Sequence, residues 1–146
     1  MREILFRGKR IDNNEWVEGG FYLEPYTDNS YIIAWNSMGM GFIEYILVCS
    51  DSVGQYTGLE DKNSKRIFEG DILAYRWEDS PHETIEGVVK YGNFNCSCCD
   101  GVYGWYCEGG DIRRLDDPTR WHDEERLYVV GNIHDNPELI AEVQDG

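Results

Sequence analysis

Cys96, Cys98, Cys99 and Cys107 fall within the twelve residues CSCCDGVYGWYC. Thiolates bind zinc tetrahedrally, so four in one short stretch raise a structural metal site. The spacing C-x-C-C-x7-C weighs against it, because zinc sites usually separate paired cysteines by about two to four residues. Here two are adjacent. In an extended chain Cys96 and Cys98 share one face while Cys99 points to the other. His82 or His122 would complete a site only if the fold carried it there. No metal is expected; the four cysteines are weak zinc candidates and otherwise incidental or partly buried thiols. Cys49, at the end of the apolar run ILVC, reads as a small buried hydrophobe.

The histidines offer acid-base chemistry no more strongly. His82, His122 and His134 each precede an acidic residue, which favours the protonated imidazolium. A chain that is 28% charged produces such neighbours by chance. His122-Asp123-Glu124-Glu125 collects hard oxygen ligands but lacks the spaced pattern of a calcium loop, so it reads as solvated loop. Gly39-Met40-Gly41 has no G-x-x-G continuation and no helix behind it, and reads as a turn. No nucleophile elbow, phosphate loop or metalloprotease motif occurs. These residues therefore nominate no catalytic group and no cofactor.

Aromatic side chains are the other chemical surplus: five Trp, ten Tyr and five Phe in 146 residues. Each can bury 150–250 Å², more than a chain of this size hides comfortably. Tyr103, Trp105 and Tyr106 sit beside glycines, and strand alternation places Tyr103 and Trp105 on one face and Tyr106 on the other. Trp and Tyr dominate interface hot spots, so these three form the candidate interface, with core packing the competing reading.

The surroundings narrow the partner. Thirteen basic against 28 acidic residues leave a net charge of −15. Residues 1–70 hold 7 basic and 11 acidic side chains, and residues 71–146 hold 6 and 17, so the second half carries most of the field. Such a surface repels phosphate backbones, and no direct nucleic-acid binding is expected. The longest mostly apolar run, Tyr45 to Cys49, is far short of the ~20 residues of a membrane span. The first residues, MREILFRGKR, contain no apolar signal-peptide core. With an odd number of cysteines, reduced thiols and a cytoplasmic location are expected.

Holding these residues in place falls to short β-type runs punctuated by Gly, Asn and Asp. EILFRGKRI and WVEGGFYL flank Asp12-Asn13-Asn14-Glu15 and predict a β-hairpin, with Asn accepting positive φ at modest cost. SYIIAW and FIEYILVC follow, then DILAYRW, TIEGVVKY, VYGWYC and RLYVVGNI. Their spacing suits a small closed or half-closed antiparallel barrel. In HDNPELIAEV, Asn136 is a helix cap, Pro137 the first helical position, and Glu138 faces the positive helix end. That helix is short.

Two turns organise QYTGLEDKNSKRIFEGDILAY, Gln55 to Tyr75. Thr57-Gly58 forms a turn, Leu59 anchors in the core, and Asp61 to Lys65 makes a solvent-exposed hairpin tip. Glu69-Gly70-Asp71 then launches the strand from Ile72. The stretch reads as a joint rather than a binding loop. It places residues 1–66 in an N-terminal β element and 67–146 in a small barrel-like part with the C-terminal helix, closely associated.

FRGKRIDNNEWVEG, QYTGLEDKNSKRIFEGDIL and VVGNIHDNPELI occur in this order, and together they resemble the YopX family of bacteriophage and prophage proteins. The likeness runs from near the first residue to near the last, with Gly20–Ile46 and Glu78–Glu124 carrying no matching motif. Two turns depart from the family pattern by losing a glycine: Asn13-Asn14 stands where Asn-Gly is common, and Ser64 where Gly is common. Losing the glycine leaves the turn type at Ser64 open, without touching the expected fold. The resemblance implies a phage-associated, mainly β protein of two closely associated parts, with no catalytic residues to carry over; the Gly70-Asp71 turn before an apolar strand, common in SH3-like barrels, makes the second part an expected SH3-like barrel. The expected function is a non-enzymatic, cytoplasmic protein-binding module whose partner is a host or phage protein. The alternatives are an acidic DNA mimic that inhibits a host DNA-binding protein, and a small zinc protein.

Overall fold

The computed structural model describes residues 3–35, 43–76, 81–96, 99–109, 112–115 and 127–144. Among them the alternating apolar runs form eleven strands: β1 (Phe6–Lys9), β2 (Trp16–Leu23), β3 (Ser30–Trp35), β4 (Ile43–Val48), β5 (Gly54–Glu60), β6 (Arg66–Phe68), β7 (Asp71–Arg76), β8 (Glu83–Cys96), β9 (Cys99–Glu108), β10 (Ile112–Arg114) and β11 (Tyr128–Asn132). One helix, α1 (Glu138–Gln144), closes the series. The strands make two sheets, ordered β4-β3-β2-β1-β5-β6 and β10-β9-β8-β7-β11. Among the described residues the second sheet ends at β10 and β11, which do not pair with each other. The chain is mainly β, as expected, in two antiparallel sheets; the expected small SH3-like barrel is not closed among the described residues. The chain divides into two compact units, Met1–Gly58 and Leu59–Gly146.

In the first unit, β1 and β2 pair from Phe6–Gly19 to Lys9–Trp16. Arg10 N donates to Glu15 O at 2.8 Å across the turn, and Asn14 sits at φ 61°, the left-handed conformation that Asn tolerates best among residues bearing a Cβ. β2 then changes partner. From Gly20 to Leu23 it pairs with β3, and β3 pairs with β4 from Ser30–Val48 to Trp35–Ile43. Alternation sends Ile32, Ile46 and Val48 to the buried face, where Phe6, Val17, Ala34 and Val53 pack on them. Cys49, one residue after buried Val48, is exposed, which corrects its reading as a core hydrophobe.

The second unit is built on the meander β7–β8–β9. Ile67, Leu73, Val89, Trp105, Cys107 and Leu115 form its core, with Leu59 and Val129 packed against it. α1 contacts the other side of β8. Pro137 directly precedes the helix, as its fixed φ favours. Asn136 turns its side-chain oxygen back to Asn132 N, at 3.3 Å, instead of into the helix.

Ser64 takes one of the two open turn conformations. It keeps φ at 63°, so the left-handed turn persists without glycine. Ser64→Gly should therefore stabilise the chain by about 1 kcal/mol, the left-handed penalty less part of glycine's extra unfolded-state entropy. Thermal unfolding should shift upward by about 2–4 °C for a domain of this size. An unchanged or lowered midpoint would show that the serine conformation is unstrained.

Candidate functional site

The polar residues of the second and third motif segments converge in the second unit. β11 pairs with β7, placing Asn132 opposite Asp71, and Ile133 N donates to Gly70 O at 3.0 Å. Gly70 lies at φ 90°, with the His134 ring beside it: a Cβ built at Gly70 would stand 3.7 Å from His134 Nε2. Asp71 is buried, and its Oδ2 accepts the Phe68 N–H at 2.8 Å. Asn132 Oδ1 accepts the N–H groups of His134 and Asp135 at 3.0 and 2.9 Å, while Asn132 Nδ2 donates to Asp135 Oδ2 at 3.2 Å.

Asp61 does the same on a larger scale. Its Oδ1 accepts from Asn63 N at 2.8 Å and Lys65 N at 2.9 Å, and its Oδ2 accepts from Val129 N at 2.9 Å. The residue is buried while Lys62 to Lys65 are exposed. The hairpin tip is therefore solvated as expected, but its first residue is corrected from tip to tie. Side-chain oxygens saturated by backbone N–H groups fix turns; they are poorly placed to take a substrate proton.

A cavity of about 250 Å³ lies against this unit, bounded by Val88, Ile133 and Ile140 and by the backbone of Gly87 and Gly109. Lys90 and Glu108 on its rim neutralise each other at 2.8 Å. Tyr128 donates its hydroxyl to Glu83 at 2.6 Å, and its pKa is raised, first by burial and then by that carboxylate. A phenol held in its neutral form is a hydrogen-bond donor rather than a base.

Cys107 is not brought to Cys96 and Cys99. Cys96 and Cys99 are register partners, whereas Cys107 lies eight residues further along β9, about 27 Å at strand rise, with its side chain wholly in the core. Cys107 cannot share one zinc with Cys99. The side chains of Cys96, Cys98 and Cys99 lie outside the described residues, as do Gly39–Gly41 and His122–Glu125. No group of three or more His, Cys, Asp or Glu among the described residues could hold a metal ion. His82 is exposed.

Of the candidate interface, Tyr103 is 70% exposed, Tyr106 is half-buried, and Trp105 is only 4% exposed. Tyr103 and Trp105 share a face, but Trp105 packs among Leu73, Cys107 and Leu115 while Tyr103 lies nearer the hairpin end. Trp105 offers no ring to a partner. Tyr91, edge-on to Trp105 with centroids 4.9 Å apart, is exposed.

The composition alone does not locate a second exposed surface, which lies in the first unit. On the face of β2–β3–β4 opposite the core, Tyr22 pairs with Tyr31, Ile33 with Tyr45, and Tyr31 with Leu47. Tyr45 is 62% exposed, and Ile43, Tyr22 and Leu47 are exposed as well. The signal is present in FIEYILVC, which is apolar on both faces of the strand; in the structure Ile46 and Val48 are buried while Ile43, Tyr45 and Leu47 are exposed.

Comparison with known proteins bears on the whole chain. The family model described as YopX protein matches residues 5–141. Among solved structures, protein EF1440 from Enterococcus faecalis is similar, with 24% identity and a TM-score of 0.52 over 96% of this chain and 99% of that one. That likeness shows the fold. No curated protein matches.

Proposed function

Since the chain belongs to the YopX family over residues 5–141, we propose that it is a non-enzymatic protein-binding module. The carrying observation is the division of labour among its side chains. The polar groups that the motif segments assemble (Asp61, Asp71, Asn132) are consumed by backbone N–H groups, whereas large apolar side chains remain at the surface of both units. Tyr22, Tyr45, Tyr91 and Tyr103 supply wide, rigid contact area at small entropic cost, the material from which protein interfaces are made. In the second unit the candidate interface is reduced to exposed Tyr103 and Tyr91, with Trp105 supporting them from within the core.

The partner is a host or phage protein met in the bacterial cytoplasm. A phage origin is supported by the family likeness, and the location by the thiol count. No helix among the described residues is long and apolar enough to cross a membrane. The DNA-mimic alternative gains nothing from the described acids Asp61 and Asp71, which turn inward.

Affinity capture tests the reading. The immobilised chain, incubated with bacterial lysate at low and high salt, should retain a protein that a control of equal net charge does not. Retention that vanishes for every species as salt rises would leave only charge and sink the proposal.

A further inference from the structure

We infer that the outer face of β2–β3–β4 is a docking surface for a cationic, amphipathic protein segment; this rests on the protein-binding reading and gives it a place and a partner chemistry. Tyr22, Tyr31, Ile33, Ile43, Tyr45 and Leu47 occupy consecutive register positions on that face. The opposite face of the same three strands holds the unit's core, Ile32, Ile46 and Val48, so these outer side chains are not needed to close it. Tyr22 and Tyr31 stand with ring centroids 6.3 Å apart, tilted at 36°. Tyr22, Ile43, Tyr45 and Leu47 are exposed, with Tyr31 and Ile33 half-buried between them, and contiguous apolar surface of this kind marks an interaction site.

Charge selects the occupant. Residues 1–58 carry four basic and eight acidic side chains. Arg10 is held by Asp12 through two hydrogen bonds of 2.9 and 2.8 Å, which raise the Arg10 pKa and lower that of Asp12. Arg7 is buried and lies 4.7 Å over the Trp16 ring. Lys9 is half-buried. Glu18 lies on the same face as Tyr22, and Glu24 accepts the Tyr31 hydroxyl at 3.3 Å. At the edge strand, Glu44 borders a cavity of about 260 Å³ with Ile11, Tyr45 and Leu47, and the mutually neutralised Arg10–Asp12 pair also lines it, so Glu44 is its uncompensated charge. The face is thus tyrosine and aliphatic in the middle and anionic around it.

Tyr rings with acidic neighbours attract Lys and Arg twice, through the ring quadrupole and through the carboxylates. A second copy of this chain, at −15, is repelled, as are anionic lipid surfaces and nucleic acid. An acidic protein is repelled likewise. A basic segment with alternating apolar side chains satisfies both the rim and the middle.

The test is an NMR titration of the labelled full chain with a peptide of about twelve residues alternating Leu or Val with Lys or Arg, at about 0.15 M salt. Control peptides exchange Lys and Arg for Glu, or Leu and Val for Gly. Amide shifts should concentrate on Gly20–Leu23, Ser30–Trp35 and Ile43–Val48. Tyr45→Ser with Leu47→Ser should weaken binding about tenfold or more while leaving the remaining spectrum in place. Equal response to the Gly control, shifts centred on Tyr91 and Tyr103, or silence towards every peptide would overturn the inference. So would concentration-dependent dimerisation lost in the double variant, which would give the face to a second copy. Repeating the lysate capture with the double variant separates the two failures. A partner retained equally by both proteins defeats this face alone, and a wild-type chain that retains nothing defeats the protein-binding reading itself.

Discussion

Asp61→Asn should cost about 3 kcal/mol of stability, although it removes no volume and no buried apolar surface. The wild-type carboxylate accepts three backbone N–H groups, two on Oδ1 and one on Oδ2. Asparagine replaces one oxygen by an amino group that can only donate. In one orientation it faces Val129 N; in the other it faces Asn63 N and Lys65 N. Either way a donor meets a donor, and at least one part-buried N–H loses its acceptor. Hydrogen bonds to a charged acceptor contribute about 1.5–3 kcal/mol each, and an unsatisfied buried donor adds its desolvation cost. The turn from Asp61 to Lys65 would loosen, and with it the tie to β11, since Val129 is 68 residues away in sequence. In urea the midpoint should fall with the slope unchanged, because the native fold persists. Asn63→Ala, which leaves the backbone N–H in place, should stay within about 0.5 kcal/mol of wild type. A loss below about 1 kcal/mol for Asp61→Asn would mean that water already serves these donors.

This residue also shows where sequence reading stops. The hairpin at Asn13-Asn14 was legible because its chemistry is local: only a few residues tolerate positive φ, and Asn14 takes it. The short helix was legible through Pro137 for the same reason. Asp61, by contrast, owes its role to Val129, and nothing nearby announces that distant N–H. A partial signal exists in Asp61-x-Asn63-x-Lys65, since an Asp whose side chain reaches the N–H two residues on makes an Asx turn. It identifies the turn but not the burial. Trp105 and Tyr103 fail in the complementary way. Alternation correctly places them on one face of β9, yet whether a face is covered depends on Leu73 and Leu115, from other parts of the chain. Sheet closure is likewise non-local. Strand spacing is equally compatible with a barrel and with the open order β10-β9-β8-β7-β11, because the difference lies in whether the two edge strands meet.

The exposed tyrosine face and the core beneath it depend on one change of partner within β2, and this yields the other large expected effect. Gly19 is the last residue of β2 paired with β1, and Gly20 the first paired with β3. At that step the backbones crowd: a Cβ on Gly19 would stand 2.1 Å from the Ile33 carbonyl oxygen and 3.2 Å from Ile32 Cγ2. A backbone oxygen cannot swing aside as a side chain can, so β3 would have to retreat from β2. Overpacking of this kind costs about 1–3 kcal/mol where side chains adjust, and more where they cannot. Gly19→Ala should therefore destabilise the chain by about 3 kcal/mol or more, and exchange of the β2–β3 amides should accelerate beyond that of β7–β9. Gly20→Ala is the neighbouring control. Its Cβ would meet only Ile33 Cβ, at 3.7 Å, an ordinary contact. There the loss of unfolded-state freedom should leave stability unchanged or raise it by about 0.5 kcal/mol. Equal effects at the two positions would show that the step in β2 relaxes freely, and that glycine at position 19 is incidental to the face it supports.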